Sequence, residues 1–388
     1  MCMAAGTASA QETTDTRTQY PLLLRNAFVS LEVGGISQPF GPLTLADGRI
    51  VPPPAVPRAE VRAVLFGREI TPRFSIQGSY TRPARYVRYT NLLSPDDPFG
   101  HRVRVNFGAV TLRAKQPVWK DLSVFGDIGA GFTSRTGFKM FDQPVVKDAH
   151  YGSVVVGGGL DVKLTNSLNL TLATTYMPGR KGLTQPRTVL HSAGVRYTMR
   201  PLTPEQMARN QADGVIFPKT VVQLDVTSGN GYGVNRFFSR KIPVFWGGYA
   251  EINRGGALHV SHNVFHTRRV FSLDFGGSVA AYRTRGLDPF VTVSLYPAFR
   301  FTFLRTQPVD MYFVYSVAGP TYISRVMLDG FNTGRHFTFQ DFMGLGMFLG
   351  RGRHLNFNVK ISHFSNGNIF TQNAGVKIPL TYGIGYAF

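Results

Sequence analysis

A histidine and a serine two residues apart on one strand are the residues in this sequence best suited to chemistry. The segment Arg353–Ser365 reads RHLNFNVKISHFS, and its apolar and polar residues alternate. Because the side chains of a strand alternate between two faces, His363 and Ser365 end an otherwise apolar face. A histidine can take the proton that a serine hydroxyl loses when it acts as a nucleophile. Strand geometry would put their Cβ atoms roughly 6–7 Å apart, within reach of a hydrogen bond, although most such pairs are incidental.

The composition indicates the kind of structure that holds this pair. The 388 residues include 42 glycines, 31 phenylalanines and 16 tyrosines, and no run of eighteen apolar residues occurs that would predict a transmembrane helix. Many short alternating segments favour transmembrane β-barrels instead. The net charge of +20 fits a polyanionic partner, either phosphorylated lipid or nucleic acid, which charge alone does not separate. One cysteine and unclustered histidines predict neither a disulfide framework nor a metal or cofactor site.

About eight alternating segments lie between residues 26 and 200. In one of them Val103, Val105 and Phe107 alternate with polar or small residues. Short connections such as Thr71–Pro72 alternate with longer ones rich in Pro, Gly and Asp, which is typical of an outer-membrane barrel with short periplasmic turns and long external loops. A soluble lipocalin-like barrel is the alternative, but it would place its apolar residues inside.

A second set of alternating segments follows a stretch punctuated by Pro201, Pro204 and Pro218. The predicted fold is therefore all-β, with two tandem eight-stranded antiparallel transmembrane β-barrels. The predicted divisions are a signal remnant or flexible tail (1–20), an N-terminal barrel (21–200), a periplasmic linker (201–218) and a C-terminal barrel (219–388). Within the linker, Glu205–Ala212 is predicted to form two helical turns. A single sixteen-stranded pore that uses the linker as a turn is the structural alternative.

The apolar faces of the strands should point outward, because polar groups are costly against hydrocarbon. This places His363 and Ser365 on the outside of the second barrel, near the outer leaflet if the short turn at residues 350–352 is periplasmic. In the last strand, Val376 and Ile378 are predicted to share the lipid-facing side with the aromatic residues up to Phe388.

Other candidate groups have ordinary explanations. His191 and Ser192 are adjacent and so face opposite ways, which favours structural roles. His101 and His150 are predicted in solvated loops. The pairs Arg180–Lys181 and Arg268–Arg269 could meet lipid phosphates, or could be ordinary interfacial charge.

The residues from His363 to Leu380, HFSNGNIFTQNAGVKIPL, make the prediction of a catalytic His–Ser pair more specific. They resemble the signature of the outer-membrane lipid A 3-O-deacylases, eight-stranded barrels that remove an ester-linked acyl chain from lipid A. The resemblance covers about residues 219–388 and is specific mainly between His363 and Gly375. The N-terminal half resembles only a generic eight-stranded outer-membrane barrel.

The resemblance implies roles for individual residues. His363 would be the general base and Ser365 the nucleophile, with Asn366 and Gly367 contributing to an oxyanion hole. Asn373 and Gly375 match an Asn-x-Gly beyond the loop, and Ala374 lies between them where proline is common. The sequence departs from the family where a glutamate is expected, because Lys377 occupies that position.

The acid that would orient His363 must therefore come from elsewhere, and no Asp or Glu follows Asp341. Asn373 or Gln372 could orient the ring as an amide, Asp341 could do so from a neighbouring strand, or the protein could be an inactive homologue. The function expected is that of a serine ester hydrolase of the bacterial outer membrane acting on lipid A of lipopolysaccharide. It would have membrane lipids and no nucleic acid as partners. A non-catalytic structural, lipid-binding or pore-forming barrel is the alternative.

Overall fold

The computed structural model describes residues 24–45, 48–51, 55–93, 100–241, 247–370 and 372–388. These residues form two closed eight-stranded antiparallel barrels, as the alternation predicts. The segment predicted as a signal remnant, 1–20, lies outside the described residues. Two separate closed barrels also show that the alternative of one sixteen-stranded pore is wrong.

Barrel 1 is closed by strands β1 to β8, which pair in chain order. Its ends meet where β8 pairs with β1, with Thr198 opposite Phe28. The strands are β1 (Ala27–Ser37), β2 (Ala59–Glu69), β3 (Phe74–Pro83), β4 (His101–Pro117), β5 (Leu122–Thr136), β6 (Ala149–Lys163), β7 (Leu168–Met177) and β8 (Thr188–Thr198). Short strands cap its long loops at Leu43–Thr44, Ile50–Val51, Val87–Tyr89, Phe138–Met140 and Gln143–Val146, and a 3-10 turn spans Lys181–Leu183.

Barrel 2 is closed by strands β9 to β16, and Val221 of the first lies opposite Ala387 of the last. The strands are β9 (Thr220–Ser228), β10 (Ala250–His266), β11 (Phe271–Thr284), β12 (Pro289–Arg305), β13 (Val309–Ile323), β14 (Phe337–Leu349), β15 (Leu355–Ser365) and β16 (Val376–Ala387). Two further short strands, Met327–Leu328 and Phe331–Asn332, form a hairpin of their own.

The walls of both barrels expose apolar side chains and their interiors hold charged networks. Leu31 and Val33 of β1 are exposed, whereas Glu32 between them is buried and lies 3.0 Å from Arg62. In barrel 2 the Asp225 carboxylate lies 2.6 Å from the Lys360 ammonium. This is the arrangement of a barrel surrounded by lipid, with an interior filled by side chains.

The linker between the barrels contains helix α1, Pro204–Ala212. Its start is fixed by a capping box, in which the Thr203 hydroxyl accepts a hydrogen bond from the Gln206 N–H and the Gln206 side-chain oxygen accepts one from the Thr203 N–H. Asp213 at its end lies 2.8 Å from Arg268 and 3.9 Å from Arg269. This arginine pair therefore contacts the linker. No helix among the described residues is long and apolar enough to cross a membrane.

The barrels lie side by side with their long loops at the same end. At the short-turn end, Leu24, Ala27 and Met199 pack in one cluster with Val264, Phe265 and Leu273 of barrel 2. At the long-loop end the Ser134 hydroxyl of barrel 1 donates a hydrogen bond to the Asn368 carbonyl of barrel 2. Between these contacts the two walls separate and leave cavities.

A short helical segment covers part of the outer wall of barrel 2. Helix α2 (Tyr232–Arg236) is followed directly by a π-helical turn, Phe237–Lys241. Phe238 of this turn and Leu380 of β16 both pack against the cluster of Met343 and Ile361, which lie on the neighbouring strands β14 and β15. The wall near the end of β15 is thus covered by protein and not by lipid alone.

A bulge in β16 corrects the predicted orientation of the last strand. Thr381 pairs with Lys360, but Ile378 pairs with Ser362, so three residues of β16 advance against two of β15. The extra residue reverses the alternation. Ile378 and Val376 therefore pack inside the barrel with Phe364, and Lys377 faces outward.

Candidate active site

His363 and Asp341 face each other across β15 and β14. They are direct cross-strand partners, and the His363 Nδ1 lies 3.4 Å from the Asp341 Oδ2. Both side chains point out of the barrel yet are buried, with 1% and 5% of their surfaces exposed. The separation is long for a hydrogen bond.

The Asp341 carboxylate is held in place from the far side. Its Oδ1 accepts a hydrogen bond from the Ala318 N–H at 2.7 Å. That N–H is available because the pairing of β13 with β14 is interrupted between Ser316 and Gly319, and Ala318 has a φ of 57°. The carboxylate is thus tied to the backbone through one oxygen and presents the other to His363.

Ser365 ends β15 on the same outward side, opposite Phe339. It is half-buried and lines two cavities that meet at this point. The chain turns immediately after it, because Gly367 and Asn368 both adopt left-handed conformations with φ of 63° and 61°. Gly367 also lines both cavities, so the turn stays beside the serine.

Asn366 and Asn373 hold this turn together rather than contacting the histidine ring. The Asn366 N–H donates to the Asn373 Oδ1 at 3.0 Å, and its side-chain amide donates to the carbonyls of Thr333 at 3.1 Å and Gln372 at 2.5 Å. The Asn373 amide donates to the Asn368 Oδ1 at 2.9 Å. Of the groups that the sequence offers to orient His363, the structure brings Asp341 to the ring.

Gly375 lies against the other edge of the His363 ring. It has a φ of 69°, and a Cβ at this position would lie 3.2 Å from both the His363 Nε2 and the Gly248 Cα. A side chain here would have to displace the ring or the neighbouring backbone. The glycine is therefore required by both its conformation and its closeness to the ring.

Lys377 is the partner of His363 on the opposite strand, β16. Its ammonium lies 2.8 Å from the Glu251 carboxylate, which is also 3.0 Å from Arg285. The lysine therefore ends in an ion pair on β10. His363 has an acid on one neighbouring strand and a lysine on the other.

The two cavities beside Ser365 lie between the barrels. The first, about 640 Å³, is mainly apolar and is lined by β2 to β5 of barrel 1 and by Phe339, Asp341, Ser365 and Ile369 of barrel 2. The second, about 400 Å³, is polar and basic, and His363, Ser365 and Lys377 form one side of it. The sequence predicted a lipid-exposed His–Ser pair, whereas the structure encloses it against the other barrel.

Two histidines predicted in loops belong to strands of barrel 1. The His150 Nδ1 in β6 lies 3.0 Å from the Ser134 Oγ, beside the contact with barrel 2. His101 begins β4 and stacks on Phe138 with ring centres 4.8 Å apart. The basic residues Arg82, Arg102 and Arg104 of barrel 1, which line the second cavity, had no assigned role. The sequence feature that could have indicated a role is their outward position on an otherwise apolar wall.

The fold and the outward-facing site define this chain as an outer-membrane β-barrel protein with an enzyme-like constellation on its second barrel. Residues 246–378 match the model of a family described as lipid A 3-O-deacylase (PagL). The match lies within barrel 2 and includes His363, Ser365 and the loop that follows. This match and the apolar outer walls of the barrels locate the chain in the bacterial outer membrane.

Three solved structures with similar barrels each cover less than half of this chain. The crystal structure of the outer membrane enzyme PagL is 16% identical, with a TM-score of 0.31, and covers 43% of this chain and 98% of its own. The N-terminal barrel domain of Pseudomonas aeruginosa OprF is 13% identical, with a TM-score of 0.29 and coverages of 45% and 98%. Ail of Yersinia pestis is 17% identical, with a TM-score of 0.27 and coverages of 44% and 99%. No curated protein matches the sequence.

Proposed function

We propose that barrel 2 is a serine hydrolase that removes an ester-linked acyl chain from lipid A, at the 3-O position. The pairing of His363 with the Asp341 carboxylate on the outer wall is the observation that supports this most strongly. His363 lies two residues before Ser365 on the same strand. The family match over the same residues supports the substrate class. An acid, a base and a hydroxyl in this order are the parts of a nucleophilic triad.

The reaction follows from these three groups. The Ser365 hydroxyl attacks the acyl carbonyl while the His363 Nε2 takes its proton, and the Asp341 carboxylate stabilises the imidazolium through Nδ1. The ester C–O bond then breaks, and the protonated histidine gives its proton to the departing sugar oxygen. Water, deprotonated by His363, hydrolyses the acyl-enzyme to a free fatty acid and restores Ser365.

The oxyanion would be stabilised by the turn after Ser365. The Asn366 N–H and side-chain amide already donate to protein acceptors. Gly367 lines both cavities next to Ser365, which makes its N–H the candidate donor to the developing charge. Asn366 and Asn373 would then act as positioning residues that hold Gly367 in its left-handed conformation.

The outward position of the site fits a substrate that stays in the membrane. A lipid A molecule could enter sideways from the outer leaflet without leaving the bilayer. A site inside the barrel would not offer this route, because the interior is filled by networks such as Asp225 with Lys360 and His259, at 2.6 and 3.0 Å.

A fluorophosphonate probe tests the nucleophile directly. The proposal predicts that the full chain in detergent is labelled once, on Ser365, and that Ser365→Ala abolishes labelling. Ser362→Ala is the matched control, because Ser362 lies on the same strand but faces the barrel interior, and it should leave labelling unchanged. Lipid A binding without any labelling of Ser365 would support the non-catalytic lipid-binding barrel instead.

A further inference from the structure

The apolar cavity beside Ser365 owes its space to small residues on barrel 1. Gly78 of β3, Gly108 of β4 and Ala130 of β5 lie on the wall that faces barrel 2 and line this cavity. Gly108 pairs with Tyr80 and with Phe132, so the three small residues lie on adjacent strands. They form a hollow in a wall that elsewhere carries exposed large residues such as Leu112 and Ile128.

The barrel does not need glycine at two of these positions. A Cβ at Gly78 would meet only the Phe66 carbonyl at 3.8 Å, and one at Gly108 only the Ser79 carbonyl at 4.0 Å. Both are ordinary van der Waals distances, in contrast with Gly129, where a Cβ would lie 2.0 Å from the Val110 carbonyl. The hollow is therefore space that larger side chains could fill without disturbing the strands.

The second cavity carries a basic wall from the same barrel. Arg102 and Arg104 alternate on β4 with Val103 and Val105, which are buried in the barrel 1 core, so both arginines face outward. Arg82 of β3 lies beside them, with its guanidinium 5.3 Å from the centre of the Tyr86 ring. Among the described residues, no carboxylate forms a salt bridge with any of these three arginines.

Barrel 2 completes the basic cavity from the opposite side. Arg236 and Arg240 of the helical segment line it and are exposed. Lys377, which is buried beside His363, also lines it. The cavity thus collects positive charge from both barrels around the edge of the candidate site. Guanidinium groups bind phosphate oxygens through paired hydrogen bonds, which suits an anionic lipid headgroup.

We infer that barrel 1 supplies half of the substrate-binding site, with its hollow binding an acyl chain and Arg82, Arg102 and Arg104 binding the phosphorylated headgroup. This rests on the proposed function, because the ligand is the phosphorylated glycolipid that barrel 2 would cleave. Ser365 lies where the apolar and basic cavities meet, which is where the acyl ester of such a molecule would lie. The tandem arrangement thereby gains a role in substrate recognition.

Filling the hollow tests whether it binds the acyl chain. Gly108→Leu should lower the initial rate of acyl release from lipid A by the full chain at least about tenfold, since the leucine would occupy the space of the chain. Gly126→Leu is the matched control: Gly126 is an exposed glycine of the same barrel with nothing within 4 Å of its Cβ position, and it lines neither cavity. Equal rates for the two variants would overturn the acyl half of the inference.

Substituting the arginines of the basic wall tests whether they bind the phosphorylated headgroup. The double variant Arg102→Gln, Arg104→Gln should bind bis-phosphorylated lipid A at least about tenfold more weakly, and lipid A stripped of phosphate with unchanged affinity. Arg187→Gln changes an exposed arginine of barrel 1 that lies outside both cavities, and it should change neither affinity. An equal loss of affinity for both lipids, or no loss for either, would contradict phosphate recognition.

Binding measured in a Ser365→Ala background separates this inference from the proposed function. In one outcome, Ser365→Ala binds lipid A, and adding Gly108→Leu or the double variant Arg102→Gln, Arg104→Gln weakens that binding. The binding site shared by the two barrels is then supported whether or not the wild type is an esterase. If the wild type cleaves lipid A but the barrel 1 variants bind and cleave like their controls, the shared site fails while the proposed function stands.

Discussion

Asp341 and Lys377 flank His363 from its two neighbouring strands, each directly opposite the histidine in the pairing register. The carboxylate lies 3.4 Å from the ring nitrogen, and the lysine is drawn away into an ion pair with Glu251. The acid that the family resemblance places on the last strand is thus supplied, in our proposal, from the other side of the histidine. A histidine on an inner strand of a sheet has one residue directly opposite it on each neighbouring strand. An orienting acid on either of these strands can therefore face the histidine while the histidine keeps its position.

Removing the acid should reduce catalysis without removing the nucleophile. Asp341→Asn should lower kcat for lipid A deacylation by about 10²–10⁴-fold, because the imidazolium loses its countercharge and its fixed orientation. Steady-state release of fatty acid by the purified full chain measures this. Asp310→Asn serves as a control for the loss of a buried carboxylate elsewhere in barrel 2. Asp341→Asn with wild-type kcat would remove Asp341 from the mechanism.

Moving the acid across the histidine should restore part of the activity. In an Asp341→Ala background, Lys377→Glu together with Glu251→Gln would place a carboxylate at the other partner of His363 and remove the like charge beside it. We expect at least about a tenfold gain in kcat over Asp341→Ala alone, because one oriented carboxylate again faces the ring. If the variant folds and shows no gain, position 377 cannot serve the histidine in this chain.

Neither barrel should conduct ions. In barrel 1 the Arg113 guanidinium makes two contacts of 2.8 Å with Asp127, and Arg196 lies 2.8 Å from Asp161, so charged side chains fill the interior. Purified protein in planar bilayers should give no stepwise conductance above that of the empty detergent control. Reproducible single-channel steps would show that these networks open and would support a pore-forming eight-stranded barrel instead.

The buried ion pairs should matter for stability. Asp127→Ala leaves the buried Arg113 without its two closest contacts and should lower the free energy of unfolding by about 3–5 kcal/mol. Asp121→Ala, at an exposed turn of the same barrel, should change it by less than about 0.5 kcal/mol. Urea unfolding in detergent, followed by tryptophan fluorescence, compares the two. Similar midpoints would mean that the network contributes little.

The sequence predicts the barrels better than it predicts the site. Alternation is a local property, so strands such as β4 and β15 can be found from their own residues. The bulge that turns Lys377 outward and Ile378 inward leaves no trace in the alternation, because Val376 and Ile378 are apolar on either face. The partner of His363 depends on register between strands, which turn lengths fix only in the folded chain.

The contact between the barrels was not predictable for a different reason. A wall that faces lipid and a wall that faces another barrel are both apolar, so Gly78 and Gly108 carry no distinguishing pattern. The outward arginines at 102 and 104 were a usable signal, because charge on an apolar wall is costly unless it meets a partner or the interface.

Mass spectrometry of lipid A tests the central claim most directly. Lipid A would be extracted from cells of a Gram-negative host that express the wild-type chain, Ser365→Ala or Ser362→Ala at equal levels. The account predicts loss of one ester-linked acyl chain with the wild type and Ser362→Ala, and intact lipid A with Ser365→Ala. Intact lipid A in all three, or the same loss with Ser365→Ala, would contradict it.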